Sequence, residues 1–334
     1  MSGHPDNLPD AVFAPRRFLR SGHAQTVVSW LVSRANGLPP SEERRFTVAP
    51  GVQVLCHCNW QPDPRAALTV VVVHGLEGSV ESQYVIGTAN KAWAAGMNVV
   101  RMNMRNCGGS HRLGPTLYHS GLSGDVGAVL RELIEHDGLP RVALTGFSMG
   151  GNLVLKLAGE LGRAATPQLV AVAGVSAAMD LGPSADALHD KANRLYEWNF
   201  VWHLRQSVRL KAEAFPGRYD LSRLDGVWSI RGFDEKVTAF YSGFTGADDY
   251  YSRSSSSNWL EHIAVPALVI HALDDPFIRL QPATFEKLRA NPHIRFLAPA
   301  HGGHCGFLAA PDGYDGRWAE RQIVEFFRNV RCTM

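Results

Sequence analysis

No hydrophobic run in this 334-residue sequence is long enough to cross a bilayer as a helix. The most apolar stretches, "ALTVVVV" and "LVAVAGVSAAM", fall short of the roughly 20 residues required. Cysteine is scarce. The five present, Cys56, Cys58, Cys107, Cys305 and Cys332, are odd in number and lack the spacing of a secreted disulfide framework, which fits a reducing compartment. The opening "MSGHPDNLPDAVFAPRRF" lacks the charged start, apolar centre and small-residue cleavage site of a secretory signal, so a cytoplasmic location is expected. An excess of one charge is missing too. Lys and Arg number 33 against 31 Asp and Glu, a net charge of +2, so no whole-protein field gathers nucleic acid or an anionic membrane. The basic run "APRRFLRSGH" could touch acidic lipid but reads more readily as a solvated face. Internal repeats are absent, and the one low-complexity piece, "SRSSSSN", reads as a loop.

What is present is an alternation of short β-branched runs with helical patterns. "LTVVVVHG", "GMNVVRMN", "RVALTG", "LVAVAGV", "PALVIHA" and "IRFLA" are apolar at nearly every position, as strands covered on both faces must be. Helices are expected at "SQYVIGTANKAWAA", "SGDVGAVLRELIEH", "GGNLVLKLAGEL", "TFEKLRA" and "RWAERQIVEFFRNV". "RRFTVAP" and "VQVLCHCNW" predict a leading antiparallel hairpin around Pro50-Gly51. This order gives a mostly parallel sheet with right-handed crossovers, an α/β fold. The rhythm breaks between about 180 and 257, where aromatic and charged residues replace buried strands. That segment reads as a helical cap inserted over the sheet's carboxyl edge, within one domain spanning 1–334.

The segment "GFSMGG", Gly146 to Gly151, leaves a strand and opens a helix, the context in which G-x-S-x-G forms a nucleophile elbow. Small flanking residues let strand and helix meet around a strained turn that lifts the Ser148 hydroxyl above the sheet. A serine hydroxyl is a weak nucleophile at neutral pH and needs a base and an orienting carboxylate. In this architecture they follow in the order acid, then histidine. "ALVIHALDDPFI" ends one strand with Asp274 and Asp275, and "FLAPAHGGHCGF" ends the next with His301 and His304. Asp275 is preferred because it stands before Pro276, where the loop turns outward; Asp274 could instead bond the turn. His304 is preferred because two glycines precede it and let the imidazole swing over Ser148. Two amides would hold an oxyanion, Met149 at the helix start and Leu76 in "VVVHGLEGS".

Rival chemistries fit less well. "HGGHC" and "CHC" contain metal-ligand residue types but no full ligand set, Cys56 and Cys58 facing away from His57 on a strand. "GFSMGGN" lacks the lysine of a phosphate-binding loop. "NMRNCGGSHR" is a second Gly-rich turn that either lines the site or merely turns the chain. The aromatics of the cap read as a small core more readily than as a substrate box.

Taken together, "SGHAQTVVSWL" (Ser21 to Leu31), "HGLEGS", "RNCGGS", "LYHSG", "GFSMGGN", "IRGFDEKVTAFYSGFTGADDYYSRSSS", "HALDDPF" and "HGGHCGF" resemble the α/β-hydrolase superfamily, and within it the YheT-like branch. The likeness covers nearly the whole chain and departs at Asn106, where many relatives carry glycine. It implies carboxylic-ester hydrolysis with Ser148 as nucleophile, Asp275 as acid and His304 as base. It also implies that "ADDYYSRSS" returns from the cap. The expected activity is therefore a serine esterase for small hydrophobic esters of short or medium chain, needing no metal or organic cofactor and no nucleic-acid partner. A homo-oligomer is compatible with it. The alternatives are acyl transfer or thioester cleavage on the same residues, or a binding protein that keeps the fold without turnover.

Overall fold

The computed structural model describes residues 12–330; the first part of the opening segment and Cys332 lie outside them. Eight strands form one sheet: β1 (Glu42–Ala49), β2 (Val52–Asn59), β3 (Thr69–Val73), β4 (Asn98–Met102), β5 (Val142–Phe147), β6 (Leu169–Val175), β7 (Ala267–Ile270) and β8 (Ile294–Leu297), in the order β1-β2-β4-β3-β5-β6-β7-β8. Only β2 runs against its neighbours; from β4 to β8 the pairing is parallel. The cause is in the side chains. Every residue of β3, β4, β5 and β7 is buried, so both faces of these strands need cover.

Helices supply that cover. On one face Val71 and Val73 pack with Val126 and Leu130 of α3 (Ser123–Glu135) and with Leu153 and Val154 of α4 (Met149–Leu161). On the other, Val70 and Val72 pack with Val85 and Ala89 of α2 (Gln83–Ala94) and with Ile323 and Phe327 of the C-terminal helix Trp318–Asn329. Alternate residues of β3 thus serve opposite cores, as the two-residue period of a strand dictates. The predicted hairpin is β1–β2, turning at Pro50-Gly51, and Cys56 and Cys58 point into the core.

One helix was hidden from pattern reading. α1 (Gly22–Leu31) buries Gly22, Gln25 and Thr26 while exposing Val27, Trp30 and Leu31, the reverse of ordinary amphipathicity. Its buried polar groups are all engaged. Gln25 donates to the Leu19 and Leu308 carbonyls and accepts from the Leu308 amide, pinning the C-terminal loop to α1.

Between β6 and β7 the chain makes a helical excursion with no strand among the described residues. It contains α5 (Leu181–Leu188), α6 (Arg194–Ala214) and α7 (Ile230–Phe233). A π-helical turn over Asp234–Thr238 follows, then α8 (Ala239–Ser242) and α9 (Ala247–Ser254). α6 turns Val201, Leu204 and Val208 inward.

Candidate active site

Ser148 stands between β5 and α4 at φ 54° and ψ −118°, a conformation that costs a non-glycine residue about 1–3 kcal/mol. The surroundings enforce it. The Ser148 amide donates to the Val175 carbonyl at 2.9 Å, and its carbonyl accepts from Asn152 and Ala178. A side chain at Gly146 would run into the Gly150 backbone, and one at Gly150 into the carbonyls of Val73 and His74, so strand and helix meet only because both are glycine. The Leu76 and Met149 amides have no hydrogen-bond partner among the described residues. The neighbouring Gly75 amide is taken by the Tyr84 hydroxyl at 2.9 Å. His74 lies wholly in the core. Burial lowers its pKa to about 4, so the ring is neutral; it meets the Gly75 carbonyl through Nδ1 and accepts the Met104 amide at Nε2.

The two acid–histidine pairs separate cleanly. His304 Nδ1 lies 2.9 Å from Asp275 Oδ2, while Asp275 Oδ1 accepts the amides of Phe277 and Ile278. Asp274 instead takes the Gly303 amide at 2.8 Å and sits 3.4 Å from His301, bonding the turn. The histidine loop bends through Gly302 and Gly303, both at positive φ. It is tied down by Thr26, which accepts the His304 amide, and by Ser176, which accepts the Cys305 amide. Burial pushes the His304 ring toward neutrality. The Cys305 sulfur and the Asp275 carboxylate oppose that and prevail, holding its pKa above the ordinary histidine value. Burial likewise opposes the charge on Asp275, and the His304 imidazole overcomes it, holding that carboxyl below the ordinary range. Among the described residues no hydrogen bond joins Ser148 Oγ to His304. The Phe277 ring, 4.4 Å from the imidazole, lines the same pocket as Ser148.

That pocket holds about 740 Å³ of unfilled space, part of it continuous with solvent. Leu76, Ser148 and Met149 form its floor. Leu181 and Leu188 of α5, Phe200 and Leu204 of α6 and Phe233 of α7 form apolar walls. The Gly-rich turn after β4, with Asn106 at φ 70°, is not among its lining residues. No group of three His, Cys, Asp or Glu side chains among the described residues is placed to hold a metal.

Residues 69–311 match the family described as alpha/beta hydrolase fold. The chain belongs to the α/β-hydrolase fold family. It is 31% identical over 321 residues to "Putative esterase YheT" of Escherichia coli, covering 95% of this chain and 93% of that one, which makes it a YheT-like member. "Phospholipase ABHD3" of mouse is 30% identical over 242 residues, 72% of this chain and 58% of that protein. Among solved structures, the Pyrococcus furiosus esterase Pf2001 superposes with a TM-score of 0.59 at 15% identity, over 90% of this chain and 96% of that one, a likeness of fold.

In this α/β hydrolase several residues that sequence reasoning passed over knit the site together. Glu77, directly after Leu76, holds φ 52°. Its amide donates to the Tyr118 hydroxyl, and its carboxyl accepts from Tyr118 at 2.5 Å and from Ser207 of α6 at 2.6 Å. Burial raises its pKa against those bonds. Asn152, on the elbow helix, donates to the carbonyls of Ser120 and Ser254 and accepts the Ser256 amide, so "LYHSG" and the end of α9 meet at one amide group. The signal for each was a motif of unknown purpose: "HGLEGS", "LYHSG" and the last residue of "GFSMGGN".

Proposed function

We propose that this α/β hydrolase cleaves carboxylic esters through an acyl-enzyme on Ser148. His304 takes the Ser148 proton as the hydroxyl attacks the acyl carbonyl, Asp275 holds the imidazole tautomer and its charged form, and the Leu76 and Met149 amides receive the oxyanion. Water, deprotonated by the same imidazole, then releases the acid. Hydroxyl and ring must close up for the first step, as often happens only when substrate binds. The observation that carries this reading is the strained Ser148 backbone, because nothing in the packing of the turn calls for a hydroxyl there.

The apolar walls favour a hydrophobic acyl chain of short or medium length, and the segment from about 180 to 257 acts as the cap that encloses it. Fluorophosphonate labelling of the parent protein and of Ser148→Ala tests the nucleophile: the parent is labelled and the variant is not. Labelling that survives the substitution rejects it. Nitrophenyl esters of increasing length test the chain preference, and a preference for charged or strongly polar acids rejects that part.

A further inference from the structure

Four of the eight tryptophans, Trp30, Trp198, Trp202 and Trp228, are 48–72% exposed, unusual for so large an apolar side chain. Two of them share a stripe. On α6 the residues Leu195, Trp198 and Trp202, spaced three and four apart, project outward on one face, while Val201, Leu204 and Val208 hold the opposite face in the core. The same 100° arc carries Arg194, Arg205 and Arg209; the Arg205 guanidinium lies 5.3 Å from the Trp228 ring centroid and donates to the Leu224 and Val227 carbonyls. Along α6 this face meets no carboxylate before Glu213, since Glu197 is buried.

α1 carries exposed apolar residues as well. Its His23 ring stacks on Tyr196 in the first turn of α6, with Nδ1 3.1 Å from the tyrosine hydroxyl. From that junction one face of α1 continues as Val27, Trp30 and Leu31, all exposed, and α1 contains no acidic residue. Just before α1, Phe18 is 84% exposed beneath the Arg17 guanidinium, flanked by exposed Arg16 and Arg20. His23 and Leu273 line one crevice with Asp275, so the surface borders the loop of the candidate acid.

We propose that this outer face of α1 and α6 docks on an anionic lipid bilayer. Tryptophan and leucine side chains enter the interfacial zone while arginines meet the headgroup anions, as in helices that lie on membranes. Charge decides against a second copy as occupant: a twofold contact would set this arginine-rich face against itself. Docking does not depend on the proposed hydrolysis and is measured without it.

Sedimentation with vesicles of phosphatidylcholine alone, and of phosphatidylcholine containing phosphatidylglycerol, tests the inference. The parent protein is expected to bind the anionic vesicles and to release them at high salt. Trp198→Ser with Trp202→Ser lowers the partition coefficient at least about tenfold. Replacing Arg16, Arg17 and Arg20 by Gln lowers it by on the order of a hundredfold, about fivefold for each. Thermal unfolding of each variant shows that the fold is kept, since all five side chains are exposed or lie on the surface stripe. The inference is overturned by a parent that ignores anionic vesicles, by equal binding to neutral ones, or by folded variants that bind as the parent does. It is equally overturned if the parent dimerises in solution through Trp198 and Trp202.

Discussion

Two buried carboxyl groups, one in the loop after β7 and one in the roof of the pocket, are held in opposite states. Asp275, in the loop after β7, is surrounded by the His304 imidazole and two backbone amides, and despite burial its pKa lies below the ordinary carboxyl value. Asp234, in the π-helical turn of the roof, bonds to the Thr238 and Tyr251 hydroxyls with only the Arg231 charge near it, and burial raises its pKa to about 6. Depth does not set the charge; the partner does. A cationic partner keeps a buried acid ionised, whereas neutral hydroxyls offset only part of the cost of desolvation.

Exchanging each acid for its amide breaks this comparison most sharply. Asp275→Asn is expected to lower kcat by about 10⁴-fold, because the imidazole loses both its tautomer and the partner of its charged form. Asp234→Asn is expected to lower it less than tenfold, and ester kinetics on the two variants read the contrast.

Glu77 joins floor to roof through Ser207, and its left-handed backbone directly follows Leu76. Glu77→Gln keeps the size but weakens the bonds from Tyr118 and Ser207. It is expected to cost about 10- to 100-fold in kcat with little change in KM, since the oxyanion is held more tightly than the ground-state carbonyl. A loss confined to KM would assign Glu77 to substrate binding instead.

The pH dependence sharpens the same contrast. Under the proposed mechanism the base works only when neutral, so activity is expected to rise with pH through the His304 pKa. The acid limb of kcat/KM is expected above 6.5, the ordinary histidine value, in a stopped-flow or continuous ester assay. Asp234 acts on stability. Its folded pKa exceeds the unfolded value of 3.8, so its contribution is fully present below pH 3.8 and is lost as pH rises through about 6. Asp234→Asn removes that dependence, worth on the order of 2–3 kcal/mol. Parent and variant melting curves between pH 4 and 7 display it.

The parallel strands were legible because a strand buried on both faces must be largely apolar, and β3 to β7 are. The elbow was legible because only glycine admits that contact at Gly146 and Gly150. α1 was not, since its buried side is polar and its exposed side apolar. The aromatics of the excursion were read as a small core. Phe200 does line the pocket, but Trp198 and Trp202 face outward. Periodicity reports that a helix has apolar sides, and cannot report which of them meets solvent.

By itself the sequence determined the order of strands and helices and the chain positions where a nucleophile, an acid and a histidine could stand, because those follow from local burial pattern and turn chemistry. Only the tertiary structure decided which members of the Asp274/Asp275 and His301/His304 pairs meet, why "LYHSG" and Glu77 lie beside the pocket, and where the tryptophans point. Each of those depends on contacts between residues distant along the chain, and such distances are set by the packing of whole elements.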